Sequence, residues 1–165
     1  MTRAVSVLSV RAAFADDRET VVSLLAGSWG ETTLLAHGVA YDAALLPALL
    51  AERDGKIAGL LTYTVDEDEG LEVVTLDAVE RRSGAGTALL ASAVDVARAV
   101  GARRLWLVTT NDNLDALRFY QRRGLRIVGV AHGAVDESRI RKPSIPLVGE
   151  HGIEIHDELT LELRL

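Results

Sequence analysis

Residues 80–90 read ERRSGAGTALL: two arginines, a Gly-Ala-Gly step, then the start of an apolar helical pattern. A helix that begins here turns its unpaired N–H groups, and the positive end of its dipole, back into the preceding loop. Gly84 and Gly86 carry no Cβ, so a phosphate can come close to the backbone amides, and Arg81 and Arg82 add positive charge at the mouth of the loop. The same residues also suit a plain strand-to-helix turn, and the stretch alone does not separate the two readings. Neither common nucleotide pattern fits. The P-loop lysine is missing, and GxGxxG would need glycine at positions held by Thr87 or Leu89.

Working outward, LEVVTLDAV (71–79) before the turn reads as a largely buried strand, and the helix after it runs over about 85–100 and stops at Gly101. Upstream, PALLAERDGKIAGLLTYTV is two apolar runs joined by Asp54-Gly55, the strongest hairpin signal in the chain, and DEDEG makes the next turn. RAVSVLSVRA near the N-terminus suits a first strand. ADDRETVVSLLAGSWG suits a helix, with Asp16 as cap, Glu19 at the capping-box position, and Gly27 and Gly30 as stops. Residues 31–46 read as a loop containing His37 and then a short helix around YDAALL. Downstream come a strand RRLWLVTT, a helix NLDALRFYQRRG, a strand LRIVGVAHGAV, a long connection, and a tail, DELTLELRL, whose leucines alternate with polar residues. The order is β-α-α-β-β-β-α-β-α-β-β. It implies an α/β (α+β) fold with a mixed sheet and helices on its faces.

The 165 residues suit a single domain spanning 1–165. No run approaches the roughly 20 apolar residues that cross a bilayer, and Arg11 interrupts the N-terminal apolar stretch, so a cytoplasmic protein with no secretory signal and no membrane partner is expected. The chain has no cysteine, hence no disulfide and no thiolate metal site. His37, His132, His151 and His156 show no metal-ligand spacing, so no metal is expected. The net charge of −6 disfavours nucleic-acid phosphates as partners.

A second segment decides the meaning of the first. Asn113 can cap the helix that carries Ala116, Phe119 and Tyr120 and ends at Gly124, with the spacing Asn-x-x-Ala-x-x-x-Tyr-x-x-x-Gly. Arg81-Arg82-Ser83-Gly84-Ala85-Gly86 matches the Gln/Arg-x-x-Gly-x-Gly/Ala pyrophosphate loop of the GNAT superfamily of N-acetyltransferases, and the Asn113–Gly124 spacing resembles that family's second signature. One departure is Leu125, where the family usually has phenylalanine. The resemblance covers about residues 47–135.

The resemblance implies a mixed sheet of about seven strands and acetyl-CoA held between two splayed parallel strands. The pantetheine arm would pair with backbone near Leu76, Asp77 and Ala78. The pyrophosphate would rest on amides from Arg82 through Ser83, Gly84, Ala85 and Gly86 to Thr87, with Arg81 at the motif position, and Asn113 would flank the arm. Tyr120 would stand near the thioester sulfur as general acid; a phenol, with an ordinary pKa of about 10, is protonated at neutral pH. The attacking amine must lose a proton, and Glu72 is the candidate base, with Glu69, Asp77 and Glu80 as rivals. Backbone N–H groups of the splayed strand would stabilise the developing oxyanion.

Acceptor selectivity would come from segments outside the motifs. Trp29, His37 and Tyr41 are candidates to line the acceptor site, although His37 reads more readily as an ordinary surface or hydrogen-bonded loop histidine than as a catalytic one. The connection 136–158 holds Pro143 and Pro146 and would shape a pocket or an oligomer contact such as a homodimer's. DEDEG favours a cationic acceptor, and the lone compact domain leans toward a small-molecule amine over a protein amino group. The expected activity is acetyl-CoA-dependent N-acetyl transfer in a ternary complex. A non-catalytic acyl-CoA-binding regulator and a domain whose glycine turn is only a turn are the rival readings.

Overall fold

The computed structural model describes residues 5–165. In chain order it contains β1 (Leu8–Ala12), α1 (Arg18–Trp29), β2 (Thr33–Ala36), β3 (Val39–Asp42), β4 (Ala48–Arg53), β5 (Lys56–Asp66), β6 (Gly70–Ala78), α2 (Ala85–Ala99), β7 (Arg104–Thr110), α3 (Leu114–Arg122), β8 (Arg126–Ala131), α4 (Ala134–Arg141) and β9 (Glu158–Arg164). The seven-stranded central sheet has the order β1-β4-β5-β6-β7-β9-β8. All its pairs are antiparallel except β6 with β7, which makes it the mixed sheet expected from the sequence. Arg3 and Ala4 of the anticipated first strand lie outside the described residues.

Side-chain alternation in β4 shows how the sheet is covered. Leu49 and Ala51 face a core that α2 closes with Leu89, Leu90, Ala93 and Ala97. Ala48 and Leu50 face a second core, closed by Val21 and Leu25 of α1. Alanines at 85, 93 and 97 are fully buried, so α2 lies close against the strands. Each buried leucine contributes about 1.5–3 kcal/mol through removal of apolar area from water.

Three local expectations need correction. Residues 31–46 form the β2–β3 hairpin and one 3-10 turn (Ala43–Leu45) in place of a loop and helix. His37 (φ 41°) and Gly38 (φ 79°) supply the two left-handed residues of a tight hairpin turn, and apolar residues on both sides favour pairing over helix. At the start of α1 neither Asp16 nor Asp17 makes a side-chain cap to the helix: Asp17 Oδ2 instead accepts the Phe14 N–H at 2.7 Å across the 3-10 turn (Ala15–Asp17) that precedes α1, and Arg11 holds the same carboxylate. The 136–158 connection is not all loop, because α4 occupies its start, with Val135 and Ser138 buried.

The feature that creates a site is the join of β6 and β7. The two strands pair only at Leu71–Leu105 and Glu72–Trp106, and from there they part. A bulge in β6 accompanies the split: Thr75 pairs with Thr62 and Val73 with Tyr63, which leaves Val74 without an opposite residue in β5.

Candidate active site

Beyond Glu72 the inner edge of β6 has no ladder partner among the described residues, so the backbone of Leu76, Asp77 and Ala78 is open to an extended ligand on that side. The edge leads to the turn at 81–84 and the first turn of α2. Gly84 is at φ 84°, a conformation that a side chain disfavours, and it starts the helix. The N–H of Ala85 has a long bond to Ser83 Oγ at 3.4 Å, while those of Gly86 and Thr87 have no protein acceptor among the described residues. These open amides lie where the sequence suggested an anion cradle. Arg82 (φ 60°) sits in the turn, Arg53 holds it by donating to the Ser83 carbonyl at 2.6 Å, and Arg81 extends into solvent, 82% exposed.

The second signature packs directly on the first. Phe119 lies against Gly86, where an added Cβ would come within 3.3 Å of the ring. Arg123 stacks its guanidinium 3.6 Å from the Phe119 ring centre and donates to Thr87 Oγ1 at 2.6 Å. Asn113 caps α3, its Oδ1 accepting from the Ala116 N–H at 3.3 Å. Tyr120 is buried, and burial first, then the nearby Asp77 charge, raises its phenol well above the ordinary value. Asp77 is itself pushed up by burial, against the opposing hydrogen bond that Trp29 Nε1–H donates to its Oδ2 at 2.7 Å.

At the closed end of the split lies a cluster that the sequence reading named only in parts. Glu72 is 4% exposed. Its Oε1 is 2.7 Å from His37 Nε2, and its Oε2 accepts from the Tyr41 hydroxyl at 2.8 Å. A carboxylate only accepts, so Nε2 carries a ring proton, and in the neutral ring Nδ1 is the acceptor. Burial, then the Glu72 contact, raises the Tyr41 phenol, which stays protonated as a donor. The His37 ring also leans on Trp106, with centres 5.2 Å apart. The rivals to Glu72 are placed differently: Glu69 pairs with Arg104 at the surface, Asp77 holds Trp29, and Glu80 is exposed.

Beside this cluster is a cavity of about 520 Å³. Val74, Val108 and Asn113 from the split line it, with Trp29, Leu34 and Ala36 on one side and Val135, Lys142, Ile145 and Pro146 on the other. Glu158 also lines it and was absent from the sequence-derived site. Its Oε2 accepts the main-chain N–H of His37 at 2.9 Å, a link across 121 residues of sequence that no local pattern announces.

Comparison with known proteins adds the following. The model of the acetyltransferase (GNAT) family matches residues 18–125. The uncharacterized protein YxbD of Bacillus subtilis (strain 168) is 37% identical over 145 residues, covering 87% of this chain and 91% of that protein. Among solved structures, an acetyltransferase from Bacillus subtilis in complex with CoA superposes with a TM-score of 0.67 at 19% identity, over 97% of this chain and 99% of that one. A GNAT family acetyltransferase from Elizabethkingia anophelis with acetyl-CoA bound gives 0.70 at 18% identity, over 96% and 98%. At these identities the structural likeness is one of fold.

Proposed function

The chain belongs to the acetyltransferase (GNAT) family, and from that premise we propose that it transfers an acetyl group from acetyl-CoA to a primary amine by direct attack in a ternary complex. The observation that carries this reading is continuity: the unpaired edge of β6 past Glu72 runs straight to the free amides that begin α2. An amide-bearing arm needs ladder partners that a closed sheet lacks, and a diphosphate needs N–H donors at the positive end of a helix. Both are supplied along one path. Leu76, Asp77 and Ala78 receive the arm, Arg82 to Thr87 receive the pyrophosphate, and Asn113 flanks the arm near the cavity.

An ammonium must shed a proton before its nitrogen can attack. Glu72 was the base expected from the sequence, yet both of its oxygens already have donors. The assignment that fits this geometry gives the proton to His37 Nδ1, directly or through water. Glu72 orients the ring through Nε2 and stabilises the imidazolium that forms. Tyr41 holds the second carboxylate oxygen and fixes Glu72 in turn.

At the other end, Tyr120 donates to the departing sulfur. Burial, then the nearby Asp77, raises the phenol above its ordinary value, which favours the protonated donor form. A thiol ordinarily titrates near 8.5, below the phenol, so a hydrogen bond to the developing thiolate is favoured over complete proton transfer. Solvent then supplies the final proton.

The test is a screen of small amines and lysine peptides with acetyl-CoA, reading free thiol. Amine-dependent thiol release supports the proposal. CoA binding without thiol release across the panel would instead mark a non-catalytic acyl-CoA sensor.

A further inference from the structure

The cavity beside the split carries a charge imbalance. Its walls are largely apolar, among them Leu34, Val108, Val135, Ile145 and Pro146. Its one lysine, Lys142, is already neutralised by Glu31 at 2.6 Å. Glu158 is left over: it is 6% exposed, and its only donor among the described residues is the His37 main-chain N–H. A carboxylate this deeply buried is costly unless it is paired, and one neutral N–H does not balance its charge.

The cavity is also tied shut on one side. Arg141 Nη1 donates to the Gly38 carbonyl at 2.8 Å and Lys142 Nζ to the Thr33 carbonyl at 3.1 Å, so α4 and the segment after it are strapped to the β2–β3 hairpin. An extended peptide lying across the split would have to break these straps, whereas a small molecule fits beneath them. The volume is in the range of small-molecule sites, about 300–1,000 Å³.

Resting on the acetyltransferase reading above, we infer that the acceptor is a small, singly charged amine whose ammonium docks on Glu158 while its apolar body fills the space between Leu34, Val108, Ile145 and Pro146. The hydrogen bond from His37 to Glu158 then sets the ammonium beside the residue assigned to take its proton. Acetylation turns the ammonium into a neutral amide: one proton leaves through His37 before attack, the nitrogen gains the C–N bond, the thioester C–S bond breaks, and the second proton shed by the nitrogen passes to solvent, which protonates the departing CoA thiolate. The product no longer pairs with Glu158, which favours its release.

The test is calorimetric titration of the CoA-loaded protein with benzylamine, hexylamine, benzyl alcohol and a lysine nonapeptide. Wild type is expected to bind at least one of the two small amines more tightly than benzyl alcohol or the peptide. Glu158→Gln keeps an acceptor for the His37 N–H and removes the charge. It should weaken amine binding about ten- to a hundredfold, the worth of a hydrogen bond to a charged group, with benzyl alcohol and CoA affinities unchanged. Equal amine affinity in the two proteins overturns the inference, as does tighter binding of the peptide or no binding of either small amine by wild type. Failure of wild type to bind CoA at all would instead remove the parent reading, and this inference with it.

Discussion

Glu72 and Trp106 face each other across β6 and β7 as the last paired residues of the two strands. The residues of the proposed site are arranged around that point. Toward one end the sheet is closed and Glu72 holds His37 and Tyr41; toward the other it opens into the groove that ends at α2.

If His37 takes the proton and Glu72 orients it, Glu72→Gln and His37→Ala should each lower kcat about a hundredfold, the low end of what general-base catalysis contributes. CoA affinity should stay near wild type. The double variant should be no worse than the poorer single one, because the two residues act as a unit. Steady-state kinetics of the three variants decides it: an active His37→Ala enzyme beside an inactive Glu72→Gln enzyme would return the base role to Glu72.

Tyr120→Phe removes the donor to sulfur and little volume. Turnover should fall about ten- to a hundredfold, as expected for the loss of one hydrogen bond to a charged group, with acetyl-CoA binding preserved. Because burial raises the phenol above its ordinary value, no basic limb of the wild-type pH–rate profile below about pH 10 should belong to Tyr120. A limb in that range that vanished in Tyr120→Phe would contradict this placement of its proton.

Gly86→Val is expected to weaken CoA binding about tenfold or more, since overpacking of this kind costs about 1–3 kcal/mol. The new Cβ meets Phe119 at 3.3 Å and presses the start of α2 away from its place. Titration with CoA, alongside a thermal melt to show that the variant folds, measures the effect. Undiminished CoA affinity in a folded protein would refute the cradle.

Acid stability offers a check far from the site. The Arg11 hydrogen bond, then the Phe14 N–H, pull Asp17 from an ordinary value of 3.8 down to about 2. A carboxylate depressed in the folded state stabilises the fold above its unfolded pKa, and that advantage fades as pH falls through the folded value. Asp17→Asn should therefore be less stable than wild type at pH 6, and the gap should narrow between about pH 4 and pH 2. Chemical denaturation at several pH values would show it; a gap that stayed constant to pH 2 would mean the ionised carboxylate is not what Arg11 contributes through.

The sheet was legible because its signals are local. Asp54-Gly55 marks the β4–β5 turn, the alternating leucines 159, 161, 163 and 165 mark β9, and Gly84 and Gly124 bracket the two signature segments. The two motifs sit at fixed spacing on adjacent elements, so they too could be read without coordinates. The hairpin at 33–42 was hidden because its turn is His-Gly, a weaker signal than Asn-Gly or Asp-Gly, and because YDAALL has helical composition. Glu158 was hidden for a different reason. In DELTLELRL it is one more polar residue on an alternating strand, and only the return of β9 beside β7 carries it to the cavity wall. Glu72 was legible as a candidate, but its two donors were not, because they come from residues 31 and 35 positions away.

The stacking of Arg123 on Phe119, with its bond to Thr87, ties the first turn of α2 to the helix that carries Tyr120. On the proposed reading, a diphosphate seated on the α2 amides would therefore also steady the helix that presents Tyr120 to the sulfur. The nucleotide half of the donor is thus more than a handle for capture. An acetyl-pantetheine donor with no diphosphate is expected to lose turnover as well as affinity, because it does not steady that helix.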